Sequence, residues 1–107
     1  MRSAIGYLRS DLAGARQRRH ETEIRYAAAM AGYDLRKIAA FSDRTDDRIH
    51  RIRVMLDRLG VDAVITPSLD HLESAIVPTA LTEVADVLTI EPARTYPRTP
   101  PTTTTEG

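Results

Sequence analysis

Short apolar runs alternate with stretches of helical periodicity over the first ninety residues, and that alternation leaves the chain very few folds. Ala4 to Leu8 is an apolar run closed by charge, as expected of a strand buried on both faces. From about residue 15 to residue 31, Ile24, Ala27, Ala28 and Ala31 recur at helical spacing among alanines and glutamates that favour helix. Gly32 follows, where a left-handed cap would end that helix. RKIAAF predicts a second strand ending at Phe41, and SDRTDD predicts a turn in which Thr45 or Asp46 caps the next helix. Ile49, Ile52, Leu56 and Leu59 then make one stripe, with Arg48, Arg51 and Arg58 on other faces, until Gly60 ends it. VDAVIT predicts a third strand broken by Pro67, a short helix is expected to start near Pro78, and DVLTI predicts a fourth strand.

This order predicts an α/β domain: a small doubly wound parallel sheet of about four strands with helices on both faces. The domain is expected to occupy residues 1–92. Residues 93–107 are rich in proline and threonine and lack apolar periodicity, so a disordered tail is expected there. A chain of 107 residues buries roughly 60–68% of its extended surface, enough for one modest core. Cysteine is absent, which excludes disulfides and thiolate metal sites. No apolar run approaches the ~20 residues of a membrane span, and the N-terminus has no signal-like apolar stretch, so a cytoplasmic protein without a membrane partner is expected.

Charge is balanced overall but unevenly spread. Residues 1–60 carry 13 Lys/Arg against 8 Asp/Glu, whereas residues 61–107 carry 2 against 7. All but one of the bases are arginine, whose planar fork suits phosphate, so the front half is compatible with nucleic acid. A biased composition with solvated helix faces accounts for the same count.

In open parallel sheets, ligands gather beyond the carboxyl ends of the strands. The rule selects Arg9, Ser10 and Asp11 after the first strand, Asp43 to Arg48 after the second, and Pro67 to Glu73 after the third. Serines, arginines and aspartates meeting at one edge could bind a phosphate and attack it, with the arginines stabilising developing charge. Ordinary roles fit the same residues. Ser10 and Asp11 suit a helix N-terminus, SDRTDD suits a turn, and His71 suits a solvated or capping position. Neither GxGxxG nor GxxxxGK[ST] occurs, so no nucleotide cofactor is expected. Asp43, Asp46 and Asp47 would suit magnesium no better than many acidic turns do, and no metal is expected.

Several landmarks in order give the chain a resemblance to the N-terminal catalytic domain of the resolvase/invertase family of serine recombinases. Those domains open on a strand ending in tyrosine, any residue, arginine, any residue, serine; Ile5-Gly6-Tyr7-Leu8-Arg9 matches its first part. Phe41-Ser42-Asp43 fits the family's Phe-x-Asp, and GVDAVITPSLDHL resembles its apolar strand followed by Leu-Asp-Arg-Leu. Leu69-Asp70-His71-Leu72 matches three of those four residues. The resemblance covers residues 3–74 and implies a resolvase-like fold acting in DNA recombination, in a cytosolic or mobile-element setting.

Departures fall where activity would reside. Asp11 occupies the place of the family's nucleophilic serine, and Ser10 lies one residue early; on an extended strand that slip turns the hydroxyl to the other face. The family's Ser-Gly loop before an arginine is missing, with Arg48 the nearest stand-in, and two phosphate-contacting arginines beyond Asp70 are replaced by His71 and Ser74. ESAIVPTALTEVADVL is too short to stand for the long helix that grips DNA, and no helix-turn-helix follows. Each transition-state donor removed costs about 10²–10³ in rate. The resemblance therefore implies a catalytically degenerate domain, leaning against an enzyme, that binds DNA, a protein partner or its own copy. Two alternatives remain. One is an active recombinase cleaving DNA through Ser10, with Arg9 and Arg48 as phosphate clamp and Asp70 as orienting residue. The other is a small-ligand or scaffold domain on the same fold.

Overall fold

A computed structural model describes residues 1–73 and 75–100. Its five strands are β1 (Ser3–Arg9), β2 (Asp34–Phe41), β3 (Ala63–Thr66), β4 (Asp86–Ile90) and β5 (Ala93–Tyr96). They form one sheet in the order β2-β1-β3-β4-β5. The first four run parallel, and β5 returns antiparallel along β4. Helices α1 (Ser10–Ala13), α2 (Gln17–Ala31), α3 (Arg48–Leu59) and α4 (Thr79–Thr82) lie between the strands, with 3-10 turns at Gly14–Arg16 and Leu69–Leu72.

Period-two alternation along β1 divides the core in two. Ala4 and Leu8 pack with Ile24 and Ala28 of α2, while Ile5 and Tyr7 pack with Ile52 and Leu56 of α3 and Leu81 of α4. Helices therefore cover both faces, as the alternation predicts. Each fully buried Ile or Leu in these layers contributes ~1.5–3 kcal/mol. The tightest approach is at Gly6, where an added Cβ would stand 2.6 Å from Ile24 Cγ2; α2 can lie this close to β1 only over a residue without a side chain. Gly32 caps α2 at φ 80, in the left-handed region expected of it.

Three expectations need correction. The sheet has five strands, not about four, because Ala93–Tyr96 pairs with β4 inside the segment expected to be tail. Beyond it, Arg98 and Thr99 donate their backbone N–H groups to Asp86 Oδ1 and the Thr82 carbonyl, while residues 101–107 of that segment lie outside the described residues, as does Ser74. Neither Thr45 nor Asp46 caps α3: the N-cap is Asp47, at φ 50, with no side-chain cap bond, and Thr45 Oγ1 instead accepts the Ser42 N–H at 3.3 Å within the turn. Leu59 is 40% exposed, so the buried stripe of α3 reduces to Ile52 and Leu56. Among the described residues, no helix is long and apolar enough to cross a membrane.

Candidate functional site

From β1 the chain crosses to β2 on one side and then returns through α3 past β1 to β3 on the other, so the region beyond the carboxyl ends of β1 and β3 is the switch point of the sheet. The loops after β1, β2 and β3 meet there. Arg9, the last residue of β1, puts its guanidinium on Asp11: Nε donates to Oδ1 at 3.1 Å and Nη2 to Oδ2 at 2.5 Å. Arg48, first residue of α3, does the same with Glu73, donating from Nε at 2.6 Å and from Nη2 at 2.7 Å. Its Nη1 donates to the carbonyls of Ser42 and Thr45 at 3.0 and 2.9 Å, which ties α3 to the turn before it. Both guanidiniums are largely shielded from solvent. The Arg9 fork holds the Asp11 carboxyl below its ordinary range, and the Arg48 fork does so for Glu73. Glu73 in turn raises the Arg48 pKa.

Ser10 does not sit on an extended strand. β1 stops at Arg9 and Ser10 opens α1, so strand alternation no longer decides its direction. Its hydroxyl donates to the Phe41 carbonyl at 3.2 Å, bridging the ends of β1 and β2. No side-chain base contacts it among the described residues. The helical turn that begins at Ser10 also brings Asp11 back onto Arg9.

His71 is buried, not solvated. Its Nδ1 accepts the Arg9 backbone N–H at 2.9 Å, pinning the strand-to-helix junction. Burial lowers its pKa, and neighbouring His20, whose ring lies edge-on at 5.7 Å, lowers it further. Asp70 stands apart from the arginines. It lines a separate hollow of about 220 Å³ with Ser68, Thr89, Glu91 and Tyr96. Arg9 is thus oriented by Asp11, two residues away along the chain, rather than by Asp70. Sequence and fold together gather Ser10, Arg9 and Arg48 at one crevice and leave Asp70 beside it.

Beneath the two ion pairs lie two buried hydroxyls, Tyr7 OH and Thr66 Oγ1, that find no partner among the described residues. They directly follow Gly6 and Ile65, the last pair of the β1–β3 ladder, and strand alternation puts both on the α3 face with Ile5 and Val64. Burial pushes the Tyr7 phenol up to about 12, against the attraction of Arg48, so it stays protonated near neutrality. Its ring meets Phe41 edge-on at 5.4 Å.

The acidic turn of Asp43, Asp46 and Asp47 does not assemble a cation site: among the described residues, no group of three or more His, Asp or Glu side chains could hold a metal ion. Fold and site together define an α/β domain with two carboxylate-held arginines over its switch point. No family model matches the chain, and no curated protein or solved structure shows significant similarity to it.

Proposed function

We propose that the chain is a resolvase-like domain, related to the serine recombinases, that has lost strand cleavage and serves as a binding module for DNA phosphate at its carboxyl edge. One observation carries this reading. Arg9 and Arg48, the arginines that would clamp a phosphate, each hold a carboxylate of the same chain in the bidentate geometry a phosphate would use. Asp11, one of those carboxylates, stands where the family resemblance puts the nucleophile. Cleavage needs free donors aimed at the scissile phosphate and a hydroxyl activated by a base; here the donors are engaged and Ser10 bonds a carbonyl. Binding needs less, since a polyanion can compete for the two forks.

The experiment titrates labelled duplex DNA with the protein over a salt series and incubates the protein in parallel with supercoiled plasmid. The reading expects weak binding that falls steeply with salt and a plasmid left intact. A covalent protein–DNA adduct that disappears in Ser10→Ala would replace it with the active recombinase. Absence of binding even at about 50 mM salt would remove DNA as the ligand.

A further inference from the structure

The outer edge of the sheet beside β2 offers a second binding surface, independent of the arginine crevice. β2 ends the sheet and pairs only with β1, so the N–H and C=O groups on its other side have no strand to bond. The bulge in the β1–β2 ladder falls before Lys37, which leaves Lys37 to Phe41 as a regular exposed edge. Alongside runs a groove of about 630 Å³ between β2 and α3. Phe41, Met55, Val54 and Leu59 give it apolar walls, and Val54 and Leu59 are 38% and 40% exposed.

The rim of this groove is cationic. Lys37, Arg51 and Arg58 line it against a single acid, Asp47. The side chains of Lys37 and Arg58 make no ion pair or hydrogen bond among the described residues, whereas those of Arg9, Arg48 and Arg53 all hold carboxylates. The uncompensated charge thus collects beside an open strand edge and an apolar trough.

We propose that this edge receives an extended acidic segment of a partner protein, which adds to the sheet next to β2. Strand addition draws affinity from main-chain hydrogen bonds and specificity from alternate side chains. Apolar residues facing the groove would cover Met55 and Leu59, and flanking acids would meet Lys37 and Arg58. The same cations repel the equally basic edge of a second copy, so they guard against self-pairing while admitting an acidic strand. A nucleic-acid backbone would use the charge but neither the apolar trough nor the strand edge.

The test uses the full chain and a labelled peptide, Glu-Thr-Val-Thr-Val-Thr-Glu, followed by fluorescence anisotropy. The proposal expects saturable binding, loss with lysine in place of glutamate, and loss when alternate peptide nitrogens are methylated. It expects Lys37→Glu/Arg58→Glu to weaken binding about tenfold or more, as for paired interface charges, with the melting temperature unchanged. Amide exchange of residues 37–41 should slow on peptide binding. Should that variant fail to fold, Lys37→Gln and the methylated peptide on unaltered protein decide the matter. No binding, equal binding of the lysine peptide, or indifference to methylation would overturn the proposal. Displacement of the peptide by duplex DNA that itself depends on Lys37 and Arg58 would overturn it too, and would assign the groove to nucleic acid.

Discussion

The two ends of the parallel strands use charge in opposite ways. At the amino end, Asp86 gathers Arg2 Nη2 at 2.8 Å, Tyr33 OH at 3.1 Å and the Arg98 backbone N–H at 2.7 Å, while Asp62 accepts the Ser3 N–H at 2.9 Å. These bonds join segments as much as 84 positions apart, and Arg2 also lies over the Tyr33 ring at 5.2 Å. The carboxylates there face backbone N–H groups as well as side chains, and no buried hydroxyl at that end is without a partner among the described residues. At the carboxyl end two carboxylates hold guanidiniums, the closer pair two residues apart, and two buried hydroxyls beneath them find no partner among the described residues. The amino end is built as a clasp. The carboxyl end holds its charges where a competing anion can take them.

Loss of Asp86 should have the largest effect. Asp86→Ala strips partners from a charged cluster and leaves the Arg98 N–H and Tyr33 hydroxyl unpaired, at a cost of about 2–3 kcal/mol. Denaturant unfolding measures it; a loss below ~0.5 kcal/mol would mean that the amino end is no clasp.

Acid should separate the ends next. The folded His71 pKa is lowered from 6.5, so the unfolded chain binds the proton more readily. Its contribution is complete above about 6.5 and fades as pH falls below that value toward the folded pKa. Burial opposes ionisation of Asp86, but the Arg98 N–H, Arg2 and Tyr33 outweigh it and lower the pKa from 3.8, so that contribution fades only as pH drops below about 3.8. The protection factor of the Arg9 amide, its exchange rate corrected for the intrinsic pH dependence, should therefore fall between pH 6.5 and 5 while the amino end stays protected, and His71→Asn should flatten that response. Equal loosening of both ends over this range would break the comparison.

A smaller effect is expected at Tyr7. Tyr7→Phe removes a buried hydroxyl that bonds nothing, so stability should stay level or rise by up to ~1 kcal/mol. A clear loss on thermal unfolding would show that the hydroxyl is satisfied in solution.

Much of this contrast could be read from the residues, and the unread part has physical reasons. Apolar runs and glycine stops placed the four parallel strands and the two long helices, because burial on both faces writes itself into composition and period. The switch-point rule then brought Arg9, Ser10 and Arg48 to one crevice from topology alone. β5 was missed because Ala93, Arg94 and Thr95 are exposed and Tyr96 only half-buried, so an edge strand of four residues leaves no alternating pattern. Glu73 was visible only as one acid of its loop: its bond to Arg48 spans 25 positions and depends on how the β3 loop folds back. The Arg9–Asp11 pair depends on where strand becomes helix, a boundary that periodicity locates only to within a few residues.

The central claim is that Asp11 and Glu73 occupy forks that a phosphate would otherwise fill. Asp11→Asn/Glu73→Gln keeps the shape of both side chains and removes their charge. With no carboxylate left to displace, the double variant should bind duplex DNA more tightly at every salt concentration, while the slope of log K against log salt, set by the same phosphate contacts, stays close to that of the unaltered chain. An affinity no higher than that of the unaltered chain would contradict the claim.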